Sequence, residues 1–211
     1  MHIDKHLIFG AGGHSKVVFE AITSIESASS NFLFADDDPT LESLRQPGRQ
    51  FISADEIRAH KIAYFHIAIG DNRQRSQIAK RIEFQELEPF SIFHSTSSIA
   101  SSATISPGCF VAAGAIVGPE ACIAQHSIVN HGAVVDHDCV IADFVHISPN
   151  ATLSGCVIIG HRTLIGAGAV VLPGRKIGDD CIIGAGAVVV NDIPAGQTVI
   201  GVPAKQIRAK R

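Results

Sequence analysis

An aliphatic residue stands at every sixth position from Ile99 to Val189 without a break. The series opens Ile99, Ile105, Val111, Val117 and closes Val171, Ile177, Ile183, Val189, sixteen hexads in all. Four places after each aliphatic residue lies a mostly small one, among them Ala103, Cys109, Ala115, Ala133, Ala151 and Cys181. Val145, Val157, Thr163, Arg175 and Ile193 break that rule. A β-sandwich alternates with a period of two and does not hold a six-residue phase through 99–193. A fixed short period is the signature of a solenoid. With one flat side per hexad and three sides to a coil, the aliphatic positions recur above one another once per coil and fill a triangular interior. Sixteen hexads make a little over five coils. The small position faces that interior near a corner, and glycines supply the positive φ that corners demand.

This pattern resembles the hexapeptide-repeat, left-handed parallel β-helix proteins. The resemblance implies a homotrimer about an axis parallel to the coil, with ligand clefts between neighbouring subunits. Composition divides the chain at the same place. The protein is 46% apolar, yet it has no Trp, and ten of its twelve Phe and Tyr lie before residue 99, whereas fourteen of its nineteen Gly lie after it. Bulky rings do not fit a narrow coil, so they belong to a different domain. Charge separates likewise, with ten charged residues in 99–193 against twenty-three in 1–98. Two domains follow, 1–94 and 95–211, meeting at the stretch Ser95-Thr96-Ser97-Ser98.

Before that boundary, short apolar runs alternate with helix-like segments. His6-Leu7-Ile8-Phe9 reads as a strand, Gly10-Ala11-Gly12-Gly13 as a tight turn, and Ser15 to Ile25 as a helix that buries Val17, Val18, Ala21 and Ile22. Phe32-Leu33-Phe34 is a second strand, ending at Asp36-Asp37-Asp38-Pro39. Ser53-Ala54-Asp55-Glu56 has the form of a capping box that opens a helix. Tyr64 to Ile69 is a third strand, stopped by Gly70-Asp71-Asn72, and Arg73 to Phe84 is helical. This order predicts a small Rossmann-like parallel sheet with right-handed crossovers and a ligand at the carboxyl ends of its strands. The turn is G-x-G-x-x-S, short of the full dinucleotide fingerprint. Its glycines still let a ligand approach the backbone, and the helix N-terminus that follows favours phosphate.

Seventeen basic against twenty acidic residues give a net charge near −3, which argues against a nucleic-acid-binding domain. No apolar run approaches the roughly 20 residues that a membrane-spanning helix needs. The short apolar run after the N-terminus does not make a secretory signal, so a cytoplasmic protein is expected. Five cysteines without a C-x-x-C pair fit reduced thiols better than disulfides or a thiolate zinc site.

Five of the eleven histidines fall in the solenoid: His126, His131, His137, His146 and His161. His131, His137 and His161 occupy the second place after the aliphatic residue, which points outward. His137 is flanked by Asp136 and Asp138 in the densest polar cluster of the domain. An anionic neighbour stabilises the imidazolium, raises the pKa and makes a better general base.

Several segments occur in one order: Ile8-Phe9-Gly10-Ala11-Gly12-Gly13-His14, Asp36-Asp37, Ala68-Ile69-Gly70-Asp71-Asn72, Val135-Asp136-His137-Asp138-Cys139, Phe144-Val145-His146-Ile147-Ser148 and Gly201-Val202-Pro203-Ala204-Lys205. Together they resemble the two-domain sugar acyltransferase family that includes bacillosamine-pathway UDP-4-amino-sugar N-acetyltransferases, perosamine N-acetyltransferases and sialic acid O-acetyltransferases. By that resemblance, His137 matches the general base and Asp138 the carboxylate that increases its basicity. His146 matches the histidine at the acetyl-CoA thioester region, and Ala167 and Ala185 match backbone positions along the pantetheine arm. Gly12, Gly13, His14, Asp36, Asp37 and Gly70 match residues near the nucleotide sugar. Lys205 heads a basic cluster with Arg208, Lys210 and Arg211 and is the candidate for a CoA phosphate.

The resemblance implies an acetyl-CoA-dependent, metal-free N-acetyltransferase. Its acceptor is the 4-amino group of a nucleotide-linked 4-amino-4,6-dideoxy sugar, UDP-linked by preference, and its active sites lie between the subunits of a homotrimer. The amine attacks the thioester while His137 removes its proton, and His146 or a backbone N–H polarises the carbonyl. A covalent acetyl-enzyme is disfavoured, because Cys109, Cys139 and Cys181 take inward positions and Cys122 and Cys156 have no histidine at a recognisable spacing. Two other readings stay open. One is an O-acetyltransferase of sialic acid or another sugar; the other is a metal-dependent hydratase of the same solenoid fold, which needs three histidines converging on zinc.

Overall fold

The computed structural model describes residues 5–25, 32–38, 50–52, 57, 62–83 and 87–207. The capping box Ser53-Ala54-Asp55-Glu56 and the basic residues Arg208, Lys210 and Arg211 lie outside the described residues.

The N-terminal unit is a five-stranded parallel sheet with β1 (Lys5–Phe9) at its centre. On one side lie β2 (Phe32–Ala35) and β3 (Gln50–Phe51), on the other β4 (Ile62–Ile67) and β5 (Glu88–Pro89). Strand alternation divides the apolar residues between the two faces of the sheet. Leu7, Phe9, Leu33 and Phe65 meet Ala79 and Ile82 of α2 (Asn72–Glu83), whereas Ile8 and Phe34 meet Val18, Ala21 and Ile22 of α1 (Gly13–Thr23). The α1 face continues into Ile92, Phe110 and Ile128 of the solenoid. α1 begins two residues ahead of its expected start, inside the glycine turn, and α2 begins at Asn72 because Asp71 Oδ1 accepts the Gln74 N–H at 2.8 Å. The chain leaves β1 toward β2, and β4 lies on the opposite flank. The carboxyl ends of β1 and β4 therefore form the switch point at which such a sheet opens a crevice.

The C-terminal unit is a left-handed β-helix of about six turns. Two-residue strands recur every six residues and pair with the strand eighteen residues on, as in Ile116↔Val134, Cys122↔Val140 and Ile128↔His146. They stack into three sides of parallel strands, with one antiparallel strand, Lys205–Gln206, added at the end of the third. The first runs from Ser98–Ile99 to Val188–Val189 and the second from Thr104–Ile105 to Lys176–Ile177. The third starts at Ile92–Phe93, one hexad before the period read from the sequence, and ends with Thr198–Ile200 and Lys205–Gln206. From Val111 to Val189 the hexad aliphatics are buried, and Val145, Val157 and Thr163 point inward despite their size. Arg175 does not; it stays half-buried at the surface, 3.9 Å from Asp192.

Every sixth residue from Gly108 to Gly186 has a positive φ, but eight of these corner residues are not glycine. They are Glu120, His126, Asp138, Phe144, Asn150, Cys156, Arg162 and Asp180. The expectation that glycines supply the corners is thus corrected. The corner amide donates to the coil before it, as Asp138 N does to Pro119 O at 3.0 Å, and that ladder imposes the left-handed turn on ordinary residues.

Arg75 of α2 docks the sheet on the solenoid. Its guanidinium is fully buried and donates to the carbonyls of His126 (2.8 Å), Phe144 (3.0 Å) and Val145 (3.4 Å), and on its own side to Ile69 O, Gly70 O and Asn72 Oδ1. Asn72 Nδ2 adds bonds to Arg162 O and Thr163 O. Among the described residues no carboxylate pairs with this cation, and burial pushes it down to about 9.

Candidate active site

The crevice at the switch point is a cleft of about 910 Å³ lined by Gly12, Gly13, His14, Asp36, Asp37 and Gly70, with Phe9, Asp71, Gln74, Gln77, Ile78 and Arg81 completing its wall. All six residues matched to the nucleotide-sugar site share this one cleft. Gly12 is the N-cap of α1, makes no side-chain cap, and is followed by a first turn without acidic residues. The helix N-terminus and its dipole there favour an anion such as phosphate. A Cβ on Gly12 or Gly13 would meet nothing within 4 Å, so the backbone lies open to a ligand. Gly10 is a structural requirement instead, because its φ is +119° and a Cβ would strike Ala68 O at 2.8 Å.

The two neighbouring acids do different work. Asp36 spends both oxygens on backbone amides, Ala11 N at 2.6 Å and Asp38 N at 2.9 Å, and so shapes the glycine loop. Asp37 is held at the mouth by a bidentate pair with Arg81, at 2.7 and 3.1 Å. Arg81 was not singled out from the sequence, although the helical spacing Gln74, Gln77, Ile78, Arg81 is the signal of one shared face.

His14 presents its ring edge to Phe110, and its Nε2 is buried without a protein partner. Burial, with help from His146, holds His14 well below the usual histidine range, so the ring is neutral. His146 sits 6.2 Å away on the third side of the coil. Asn130 Oδ1 accepts the His131 N–H, which turns its amide nitrogen toward His146 Nε2 at 3.1 Å. Nε2 is therefore the acceptor, and Nδ1 carries the proton and donates to Gly70 O at 3.1 Å. Burial pushes His146 down to about 4.

His137 stands exposed at the corner that joins the first side to the second. Its Nδ1 lies 2.7 Å from Asp138 Oδ2, and its backbone N–H donates to Asp136 Oδ1 at 2.7 Å. A carboxylate only accepts, so Nδ1 holds the proton and Nε2 carries the lone pair. The bond to Asp138, reinforced by the charge of Asp136, raises the His137 pKa above 6.5. Asp138 occupies one of the strained corners, with φ 57°. Beneath the ring lies Gly155, where a Cβ would collide with Nε2 and Cε1.

Ala167 and Ala185 are exposed and stacked at the corner that joins the third side to the first, with Gly186 N donating to Ala167 O at 2.8 Å. His131 lies in the same column, two coils before Ala167. Lys205 is exposed on the last short strand of the third side. The cleft and this column thus border the third side, while His137 and Asp138 lie on the corner away from it and line no part of the cleft.

Residues 5–82 match the PglD N-terminal domain family, and residues 156–191 match the bacterial transferase hexapeptide family of six repeats. Over 210 residues the chain is 30% identical to GDP-perosamine N-acetyltransferase from Escherichia coli O157:H7, covering 95% of both. The chain belongs to the PglD-type sugar N-acetyltransferase family. Among solved structures, PerB from Caulobacter crescentus in complex with CoA and GDP-perosamine aligns with TM-score 0.90 at 34% identity, covering 98% of each chain. The acetyltransferase domain of PglB from Neisseria gonorrhoeae FA1090 in complex with acetyl coenzyme A aligns with TM-score 0.88 at 35% identity, covering 96% of this chain and 98% of that one.

In this PglD-type chain the structure adds to two sequence expectations. His146 has both ring nitrogens engaged, Nε2 by Asn130 and Nδ1 by Gly70 O, so it shows no N–H left for a further acceptor. Cys156 does have a histidine beside it, since the coil brings it to His137. Among the described residues this is also the one group with metal-ligand proximity, and it holds a single histidine rather than the three that a hydratase would need.

Proposed function

We propose that the protein transfers the acetyl group of acetyl-CoA to the 4-amino group of a nucleotide-linked 4-amino-4,6-dideoxy sugar, with His137 as general base. The observation that carries this reading is the exposed His137–Asp138 pair, whose geometry puts the ring proton on Nδ1 and leaves the lone pair on Nε2. The amine nitrogen bonds to the acetyl carbon as its proton passes to Nε2. The carbon–sulfur bond then breaks, and the thiolate of CoA takes that proton from His137. Asp138 keeps the ring in the productive tautomer and stabilises the imidazolium formed in passing.

The cleft holds the sugar nucleotide, with the uncapped start of α1 on its diphosphate and His14 beside the sugar. The exposed column of Ala167 and Ala185 takes the pantetheine arm, His146 borders the thioester end by packing, and Lys205 meets a CoA phosphate. The cleft lies in the sheet unit beside the third side of the coil and the base on the corner away from that side, so a second copy completes the site. This supports a homotrimer in which His137 of one subunit faces the cleft of its neighbour. The relatives named for a nucleotide carry GDP-perosamine, so the expected preference for UDP is not carried forward. Both co-substrates are products of cytoplasmic metabolism, and the proposal places the protein there.

The test is free-thiol release from acetyl-CoA with UDP-, dTDP- and GDP-linked 4-amino sugars. Release with at least one of them is expected. Release with a sialic acid alone would overturn the amine acceptor in favour of O-acetylation.

A further inference from the structure

The corner residues of the coil stack in columns, each residue directly above the one eighteen positions earlier. Neighbouring strands in such a stack are about 4.8 Å apart. Asp138 and Cys156 are successive members of one column, both with positive φ and both exposed. Cys156 N donates to His137 O at 2.9 Å, which locks the two corners in register. Because residue 155 has no Cβ, the imidazole of His137 lies over the next coil rather than being deflected from it. As a result a nitrogen of His137, an oxygen of Asp138 and the sulfur of Cys156 all lie within 4.8 Å of one another.

We propose that His137, Asp138 and Cys156 form a binding site for a thiophilic divalent cation, Zn²⁺ being the best fit, and that occupancy inhibits the enzyme. Nitrogen, oxygen and thiolate donors together are the set that zinc accepts. Ligands on one tetrahedral zinc sit about 3.5 Å apart, so the gap closes by rotation of side chains that are already exposed. The ion takes His137 Nδ1, the nitrogen that faces Asp138, and displaces the ring proton to Nε2, which frees Asp138 to bind the ion as well. Asp136 adds negative charge on the other side of His137. Open solvent over the three donors leaves the fourth position to water. The ion is not a cofactor of the transfer. With the ion on Nδ1, Nε2 carries the ring proton and has no lone pair for the amine proton, so the inhibitory half of the proposal rests on His137 being the base, whereas the site itself does not.

Protein freed of metal with a chelator is titrated with Co²⁺ and then Zn²⁺ while thiolate-to-cobalt charge-transfer absorption and acetyl transfer are followed. The expected result is one Co²⁺ per chain with a thiolate band, displaced by Zn²⁺, and inhibition in step with occupancy. Cys156→Ser should abolish the band, keep basal activity, and raise the Zn²⁺ needed for half-inhibition by about tenfold or more. Cys122→Ser, which removes the other exposed thiol, should change neither. A wild-type protein without the band, or a Cys156→Ser variant inhibited like wild type, would overturn the site. A Cys156-dependent band without inhibition would uphold the site and overturn the role of His137 as base.

Discussion

Gly155 lies directly under the imidazole of His137, so close that a methyl group there would occupy the space of Nε2 and Cε1. No left-handed φ is recorded at Gly155, so alanine there does not strain the backbone. Gly155→Ala is therefore a local probe of ring position. It should lower kcat by about tenfold or more while leaving the KM for acetyl-CoA and the melting temperature nearly unchanged. Equal kcat in the variant would mean that the ring position seen here is not the working one.

The base itself is tested by His137→Ala, which should cost about 10²-fold or more in kcat with CoA binding intact. Asp138→Asn has a sharper signature. The active form of His137 is neutral, and Asp138 raises its pKa above 6.5, so activity climbs with pH through that raised value. Removing the charge lowers the pKa. The acid limb of the pH–rate profile should move to lower pH while the plateau falls, because a weaker base remains. A limb that stays in place would separate Asp138 from the titration.

If base and cleft come from different subunits, two dead proteins can make a live one. His137→Ala and a cleft variant such as His14→Ala, inactive alone, should regain measurable activity after being unfolded together, refolded and reassembled. Sedimentation should give the mass of three chains. Failure of mixed assemblies to recover any activity would place the whole site within one chain.

Stability should depend on pH through the buried histidines between the sheet and the coil. Burial pushes His66 down to about 3 and His126 and His146 to about 4. In the unfolded chain each takes its proton near 6.5, so the unfolded state binds more protons below that value. The stability they confer is complete above pH 6.5 and is lost as the pH falls toward 4 and then 3. His137 works in the opposite sense but is exposed. Melting temperature should be level above pH 7 and decline steadily below 6.5. His126→Phe, placed between the rings of Phe65 and Phe144, should flatten that decline.

Arg75→Met keeps the stem and removes the guanidinium that six oxygens share. Leaving several buried carbonyls without a donor should destabilise the protein by about 3 kcal/mol or more in denaturant titration. The coil is held by its own ladder, so the loss should appear as earlier melting of the sheet unit alone.

The coil was legible because one residue in six must be aliphatic for its interior to fill, and that demand is written at fixed intervals. The cleft was legible for a related reason: Gly12 and Gly13 mark a backbone that no side chain covers. What stayed hidden depends on three-dimensional neighbours with no sequence period. Arg75 sits on a polar, amphipathic helix and looks solvated; its burial follows only from where α2 docks. His126 looks like any corner residue until Phe65 and Phe144 enclose it. The approach of Cys156 to His137 follows from one full coil plus one residue, an interval that matches no catalytic spacing. The engagement of both His146 ring nitrogens, by Asn130 and by Gly70 O, likewise has no signal in the spacing of the sequence.

The docking of the sheet on the coil has a consequence for how this chain can change over generations. Arg75 reaches the solenoid only through main-chain carbonyls, those of His126, Phe144 and Val145, and every residue type supplies that group. Substitutions at 126, 144 and 145 therefore do not delete the acceptors on which the alignment of the halves depends. Cleft and coil can diversify separately, one toward a new nucleotide and the other toward a new acyl donor, while Arg75 and Asn72, which both bond only main-chain carbonyls of the coil, keep them in register.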